Sequence, residues 1–137
     1  MMRKFFSTRY SDFSFNLGIF LLRVGFSALL FIHHGLPKLM KFAERKDKFS
    51  DPLGIGHTPS LILIIFAEAF CAALVAFGLL TRFAAFVIAA AFAIIVFIHH
   101  RNDPVREYED AILYLLVYLF ILFCGPGKWS LDRLIGK

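Results

Sequence analysis

Four long apolar runs, separated by short polar segments, constrain this chain more than any other feature of its sequence. The first run begins after Asn16 and the last ends at Cys124. A helix needs roughly 20 apolar residues to cross the hydrocarbon core of a bilayer, and these runs approach or reach that length. Hydrophobic residues make up 59% of the 137 residues and charged residues only 18%, with a mean hydropathy of +0.72. A soluble core of this size does not need so many apolar residues, so the sequence predicts an integral membrane protein.

The predicted fold is all-α: an integral membrane four-helix antiparallel bundle, forming one transmembrane domain over residues 1–137. The predicted helices cover about residues 16–35, 60–80, 83–100 and 110–124. The connection between the second and third helices is so short that it predicts an antiparallel hairpin. Residues 36–59 combine helically spaced apolar residues with lysines, which predicts an interfacial amphipathic segment. Its turn-rich end, residues 51–59, either folds over the bundle as a lid or lies on the headgroups, and the sequence leaves both open.

The net charge of +5 comes from basic residues that cap the apolar runs. This distribution favours contact with anionic lipid headgroups and argues against nucleic acid as a partner, which would require a basic polar surface with exposed aromatic residues. Cys71 and Cys124 lie inside apolar runs without a CxxC spacing, so they predict neither a disulfide framework nor a zinc site. Lysines and arginines are balanced between the two sides of the predicted bundle, and the distribution of acids favours cytoplasmic termini.

Alternating spans bring many ionisable residues to one side of the bilayer. The end of the first helix, the start of the second, the end of the third and the start of the fourth all lie on that side. The residues gathered there are His33, His34, Lys38, His57, His99, His100, Glu109 and Asp110.

Arg23 and Glu68 lie deeper in their predicted helices. At about 1.5 Å of rise per residue, Glu68 lies about 12 Å and Arg23 about 18 Å below that side, which leaves an axial gap of about 6 Å. An unpaired charge at the bilayer centre costs at least a few kcal/mol. We therefore predict a buried ion pair between Arg23 and Glu68, which either contributes to a ligand or proton site or only fixes helix register.

Helical spacing adds polar neighbours to this pair. His34 shares the face of Arg23, and Asp110, Tyr114 and Tyr118 form a stripe at i, i+4 and i+8. These positions predict a one-sided polar pocket that suits a headgroup, a quinone ring or a metal. The predicted pocket residues are Arg23, His34, Lys38, Glu68, Asp110, Tyr114 and Tyr118.

The histidines also suggest a metal or haem site with His34 and either His99 or His100 as ligands, and with Glu68 and Asp110 as possible carboxylate ligands. Such ligands suit iron, copper or zinc. Their spacing matches no known metal motif, and because imidazole is amphipathic, the histidines could equally be interfacial residues at the depth of the lipid headgroups. Adjacent histidines on a helix diverge by about 100°, so at most one of each pair points inward.

Several motifs resemble the DoxX family of small bacterial membrane proteins, and the resemblance covers nearly all of residues 17–134. They are Leu22-Arg23-Val24-Gly25, His34-Gly35-Leu36-Pro37-Lys38, Glu68 before Phe77-Gly78-Leu79-Leu80-Thr81-Arg82, Glu109-Asp110 before Leu113-Tyr114-Leu115, and Gly125-Pro126-Gly127-Lys128-Trp129-Ser130-Leu131-Asp132. The doubled histidines His33-His34 and His99-His100 go beyond the family pattern.

The resemblance implies a four-helix protein of the bacterial inner (cytoplasmic) membrane. For some relatives it implies a link to quinone-coupled sulfur oxidation or to oxidative-stress defence. One hypothesis is therefore a redox-associated component whose pocket binds a quinone or a metal. The sequence carries no flavin or nucleotide motif, so this hypothesis requires a partner redox protein or a bound metal as electron donor. The alternative is a non-catalytic membrane subunit, or a passage for small solutes or metals, whose buried charges set helix packing. A homo-oligomer is compatible with both.

Overall fold

Four long helices dominate the structure, a computed structural model that describes residues 2–136. They are α1 (Asp12–Met40), α2 (His57–Phe77), α3 (Thr81–His99) and α4 (Glu109–Cys124). Short helical segments flank them: Met2–Phe5, Phe42–Arg45, the 3-10 turn Val105–Glu107, and Leu131–Leu134. Residues 2–136 contain no β-strand. The predicted all-α antiparallel four-helix membrane fold is confirmed.

Three of these helices, α1, α2 and α3, are long and apolar enough to cross a membrane. The 16 residues of α4 rise about 24 Å, which is short for a straight span, and α4 packs along α3. Small side chains make that packing close, because Ala84, Ala85 and Ala89 are buried against a core that includes Tyr118 and Ile121. A spanning role for α4 remains a prediction.

The predicted end of the first helix near residue 35 is wrong, because α1 continues to Met40. A π-helical segment, Phe31–Gly35, joins its two α-helical parts. Pro37 then lies in the first turn of the resumed helix, where its missing N–H removes little hydrogen bonding. The interfacial helix is correspondingly shorter than predicted: after Met40 only the single turn Phe42–Arg45 is helical before the loop begins.

Local π-helical winding recurs at one end of the bundle. Besides Phe31–Gly35 in α1, Phe66–Cys71 in α2 and Ile95–His99 in α3 are π-helical. Such segments are rare and occur frequently at functional sites, because the wider turn redirects side chains. The three segments contain His34, Glu68 and His99, so they coincide with the polar residues that the sequence singled out.

The loop between α1 and α2 folds over this end of the bundle. Ser50, Pro52, Leu53 and Ile55 line a cavity together with residues of α1, α2 and α3. Of the two arrangements that the sequence left open, the structure therefore shows the lid over the bundle.

Candidate ligand cavity and the buried charges

Lys38 and Glu68 form an ion pair between α1 and α2. The Lys38 ammonium donates a hydrogen bond of 2.5 Å to Oε2 of Glu68. The side chain of Glu68 is only 2% exposed and that of Lys38 14%. Because a charge this deep needs a partner, the pair satisfies Glu68, and it replaces the pair that the sequence predicted.

Gly35 permits this contact by bringing the two helix backbones together. A Cβ atom at this position would overlap the backbone carbonyl of Glu68. Both residues lie in π-helical segments, so the irregular turns of α1 and α2 face each other at this point. A close approach of the two helix backbones therefore lies beside the ion pair.

A cavity of about 240 Å³ lies beside Lys38 and Glu68. Its walls come from the loop of residues 49–55, from α2 and from α3, and most of its lining is apolar. The polar side chains in the lining are those of Lys38, Ser50, Ser60, Glu68 and His99. An apolar cavity with a few convergent polar groups is the usual form of a small-molecule site.

The cavity reaches the outer face of the bundle. Leu63, which lines it, is 53% exposed, and Leu53 and Ile55 of the loop are also exposed. In a membrane protein such exposed apolar side chains face lipid or the interface. The rim of the cavity is therefore accessible to an amphipathic molecule from the bilayer.

Asp51 holds the loop in place over the cavity. Its Oδ1 accepts hydrogen bonds from the amide of Ile55 at 2.9 Å and the hydroxyl of Ser60 at 3.0 Å, and its Oδ2 accepts one from the amide of Gly56 at 2.8 Å. Desolvation raises the pKa of Asp51, but these hydrogen bonds and His57 outweigh it, so the pKa is lowered overall.

Two further contacts tie the same loop to the start of α2. The Thr58 hydroxyl donates a hydrogen bond to the Lys46 carbonyl at 2.9 Å, and the ring nitrogen Nδ1 of His57 lies 2.5 Å from the Phe49 carbonyl oxygen. His57 thus has a structural contact with the loop and does not line the cavity.

His34, Tyr114 and Tyr118 form a neighbouring cluster between α1 and α4. The rings of His34 and Tyr114 meet edge to face with centroids 5.5 Å apart, and Tyr114 stacks on Phe92. One turn further along α4, the hydroxyls of Tyr118 and Ser27 lie 2.9 Å apart in a fully buried contact. These residues pack α1 against α4 instead of lining the cavity.

Asp110, His99 and His100 lie nearer the surface. Asp110 is exposed, and its Oδ1 accepts a hydrogen bond from the amide of Ala111. His99 lines the cavity, whereas His100 stacks on Tyr108 and lies 2.9 Å from a carboxylate oxygen of Asp103. Within residues 2–136 no group of three or more histidine, cysteine or acidic side chains is close enough to hold a metal ion. The metal site of His34, His99 and His100 therefore remains a prediction without geometric support.

Arg23 occupies the opposite end of the bundle, so the predicted Arg23–Glu68 pair is wrong. Its guanidinium donates hydrogen bonds to the carbonyls of Pro126 at 3.2 Å and Trp129 at 2.7 Å. The error arises from the ends of two helices, because α1 extends five residues beyond Gly35 and α2 begins at His57. Lys38, which the prediction placed in the interfacial loop, is therefore part of helix α1, and it pairs with Glu68 in place of Arg23.

The sequence left open whether the loop of residues 51–59 covers the bundle, although it contained a signal for it. Leu53 and Ile55 are apolar residues in a turn-rich segment, and Asp51 precedes the start of α2 by a distance that suits capping of loop amides. Together these features indicate a loop that packs inward.

Comparison with known proteins identifies the family of the chain. The DoxX family model matches residues 18–101, which is more than half of the chain and includes most of α1 and all of α2 and α3. The chain belongs to the DoxX family. An uncharacterised protein of Haemophilus influenzae is similar to this DoxX protein, with 30% identity over 113 residues that cover 77% of this chain and 82% of the relative. No solved structure matches the chain significantly.

Proposed function

We propose that this DoxX protein is a redox-associated component of the bacterial inner membrane, with cytoplasmic termini, whose cavity binds the ring of a quinone. The observation that carries the proposal is the Lys38–Glu68 pair in the wall of a mostly apolar cavity that has exposed apolar side chains at its rim. A quinone combines an apolar ring with two carbonyl oxygens and reaches its site through the bilayer. The cavity therefore fits its chemistry.

The size of the cavity limits which part of such a molecule it accepts. Sites for whole drug-sized ligands occupy about 300–1,000 Å³, and this cavity has about 240 Å³. A single ring fits, and the isoprenoid tail remains in the lipid beyond the exposed side chain of Leu63.

Lys38 and Glu68 have complementary roles towards a bound ring. Lys38, which is held by Glu68, donates a hydrogen bond from its ammonium to a carbonyl oxygen and stabilises negative charge there. When the oxygen gains negative charge, the Lys38 ammonium is able to transfer one proton to it, and the resulting neutral amine, still beside the Glu68 carboxylate, regains a proton from water. A bound quinone supplies the redox chemistry, and the electrons come from a partner redox protein.

Equilibrium binding in lipid nanodiscs tests this proposal. We expect saturable binding of a short-chain benzoquinone, one per chain, above the partitioning measured with empty nanodiscs. Lys38→Met removes a charged hydrogen-bond donor and weakens binding by at least about tenfold. Lys41→Met, which removes an exposed lysine of the same segment, leaves binding unchanged. The absence of saturable binding by the wild-type protein would overturn the proposal.

A non-catalytic packing subunit is the second candidate. It is favoured because both buried charges join different segments of the chain: Glu68 pairs with Lys38, and Arg23 donates hydrogen bonds to the segment after α4. Replacement of Lys38 and Glu68 together by methionine separates the two candidates. A folded double variant that keeps the cellular function supports the packing role and contradicts the redox role. A folded double variant that loses the function supports the redox role.

A further inference from the structure

Another cavity, at the end of the bundle opposite Lys38 and Glu68, is a basic groove. It has a volume of about 580 Å³ and lies where α2 turns into α3 and where the chain leaves α4. Three basic side chains line it: Arg82 at the start of α3, and Lys128 and Arg133 after α4. All three residues are exposed.

Asp132 is an acidic residue in the groove lining, and its carboxylate is occupied with backbone groups. Oδ1 accepts a hydrogen bond from the Leu80 amide at 2.8 Å, and Oδ2 accepts one from the Thr81 amide at 2.9 Å. Asp132 therefore caps the start of α3, and the three basic residues outnumber it in the groove.

The groove is built by close backbone contacts. The Asp132 amide donates a hydrogen bond to the Gly78 carbonyl, and the Asn16 side chain accepts one from the Lys128 amide at 2.8 Å. Gly78 has a φ of +73°, and a Cβ there would overlap Arg23 and Ser130. Residues 125–132 are thus fixed against α1 and the α2–α3 turn, which places the backbone of Lys128 beside the start of α3.

Residue types that are typical of the membrane interface lie beside the groove. Trp129, next to Lys128, is 41% exposed and packs edge to face against Phe13 and Phe20, as interfacial anchors do. Phe83 and Cys124, which also line the groove, are exposed on the outer face of the bundle. The groove therefore presents cations beside an apolar edge.

We infer that this groove binds the anionic headgroup of a membrane phospholipid, with the phosphate among Arg82, Lys128 and Arg133 and an acyl chain along Phe83. The charge selects an anionic over a zwitterionic headgroup, and the apolar edge selects a lipid over a free anion. This site is separate from the quinone cavity and does not depend on the proposed redox role.

Trp129 is the single tryptophan of the chain, so its fluorescence reports on lipid beside the groove. The test measures quenching of Trp129 by brominated phosphatidylglycerol and by brominated phosphatidylcholine in reconstituted vesicles. The wild-type protein is expected to bind phosphatidylglycerol preferentially by at least about fivefold, since each basic residue near the surface contributes about that factor. Equal quenching by the two lipids overturns the inference.

Two triple variants with the same change in net charge locate the effect. Replacing Arg82, Lys128 and Arg133 by glutamine abolishes the preference, while replacing the exposed Lys41, Lys46 and Lys48 by glutamine preserves it. If both triple variants lose the preference equally, general surface charge explains it and the groove assignment is wrong. If the first triple variant does not fold, the single variants Arg82→Gln, Lys128→Gln and Arg133→Gln must each reduce the preference.

Inorganic phosphate, added at constant ionic strength, distinguishes a lipid from a free anion. Retention of the preference supports a phospholipid site. Loss of the preference shows that the groove binds free phosphate and contradicts the lipid assignment.

Discussion

The ammonium nitrogen of Lys38 lies 2.5 Å from Oε2 of Glu68 and joins α1 to α2 at the wall of the lid-covered cavity. The pair has both a packing role and a place in the candidate site. Removing one partner leaves the other buried and uncompensated, whereas removing both leaves no stranded charge. This asymmetry separates the contribution of the pair to stability from its contribution to ligand binding.

Glu68→Met is expected to lower the free energy of unfolding by about 3–5 kcal/mol, because it strands the Lys38 ammonium. Adding Lys38→Met to that variant restores most of the loss. Unfolding in mixed micelles measures both values and gives the coupling energy between the two positions. The exposed pair of variants Lys41→Met and Glu44→Gln is the matched control and changes stability by at most about 1 kcal/mol. Additive effects of the Lys38 and Glu68 replacements would contradict the pairing.

Gly35→Ala is expected to destabilise the bundle by about 1–3 kcal/mol, because the added methyl group overlaps the Glu68 carbonyl and forces α1 and α2 apart. Gly25→Ala on the same helix meets no neighbour within 4 Å, so it is neutral or stabilises α1 by up to about 1 kcal/mol. Thermal unfolding of the two variants in one detergent tests the difference. Equal effects would show that the close approach at Gly35 is absent in the membrane.

The hydrogen bonds to Asp51 predict a pH dependence of the loop. Because the folded-state pKa of Asp51 is below its ordinary value of 3.8, its stabilisation is complete above that pH and is lost as the pH falls through the lowered pKa. Hydrogen exchange of the Ile55 and Gly56 amides, corrected for the intrinsic effect of pH, is expected to accelerate only in that acidic range. Asp51→Asn makes these amides fast-exchanging at neutral pH, and Asp47→Asn in the same loop does not. Unchanged protection in Asp51→Asn would exclude the proposed role of Asp51.

Arg23→Gln is expected to lower the free energy of unfolding by about 2–4 kcal/mol, since it removes charge-assisted hydrogen bonds to the Pro126 and Trp129 carbonyls. The Trp129 emission then shifts to longer wavelength as residues 125–132 loosen. Quinone affinity stays within about twofold of the wild-type value, because Arg23 lies at the opposite end from the cavity. Arg9→Gln, at an exposed position, is the control. A large loss of quinone affinity in Arg23→Gln would contradict this placement of Arg23 and would support the Arg23–Glu68 pair that the sequence predicted.

Hydropathy and loop length were sufficient to predict the helical order and the antiparallel arrangement. These features depend on the chain crossing the bilayer repeatedly, which leaves a strong signal in the composition of each segment. The DoxX motifs agreed with that topology because they lie within the predicted helices or at their ends.

The partner of each buried charge could not be predicted in the same way. The predicted helix ends were uncertain by several residues, and each residue shifts the depth of a side chain by about 1.5 Å. The resulting error in depth is large enough to change which basic residue, Lys38 or Arg23, lies within hydrogen-bonding distance of Glu68. The π-helical segments were also invisible in the sequence, since they arise from packing between helices. Gly35 was a visible clue, because a glycine inside a membrane helix indicates a close approach of another backbone.

Photo-crosslinking with an azido-substituted short-chain quinone, followed by peptide mapping, tests the quinone cavity most directly. The proposed function predicts labels on the loop of residues 49–55, on α2 between Ser60 and Glu68, and on α3 between Ala91 and His99, with labelling suppressed by excess unlabelled quinone. Labels that are confined to the rest of the chain, or that persist unchanged when Lys38 and Glu68 are both replaced by methionine, would contradict it.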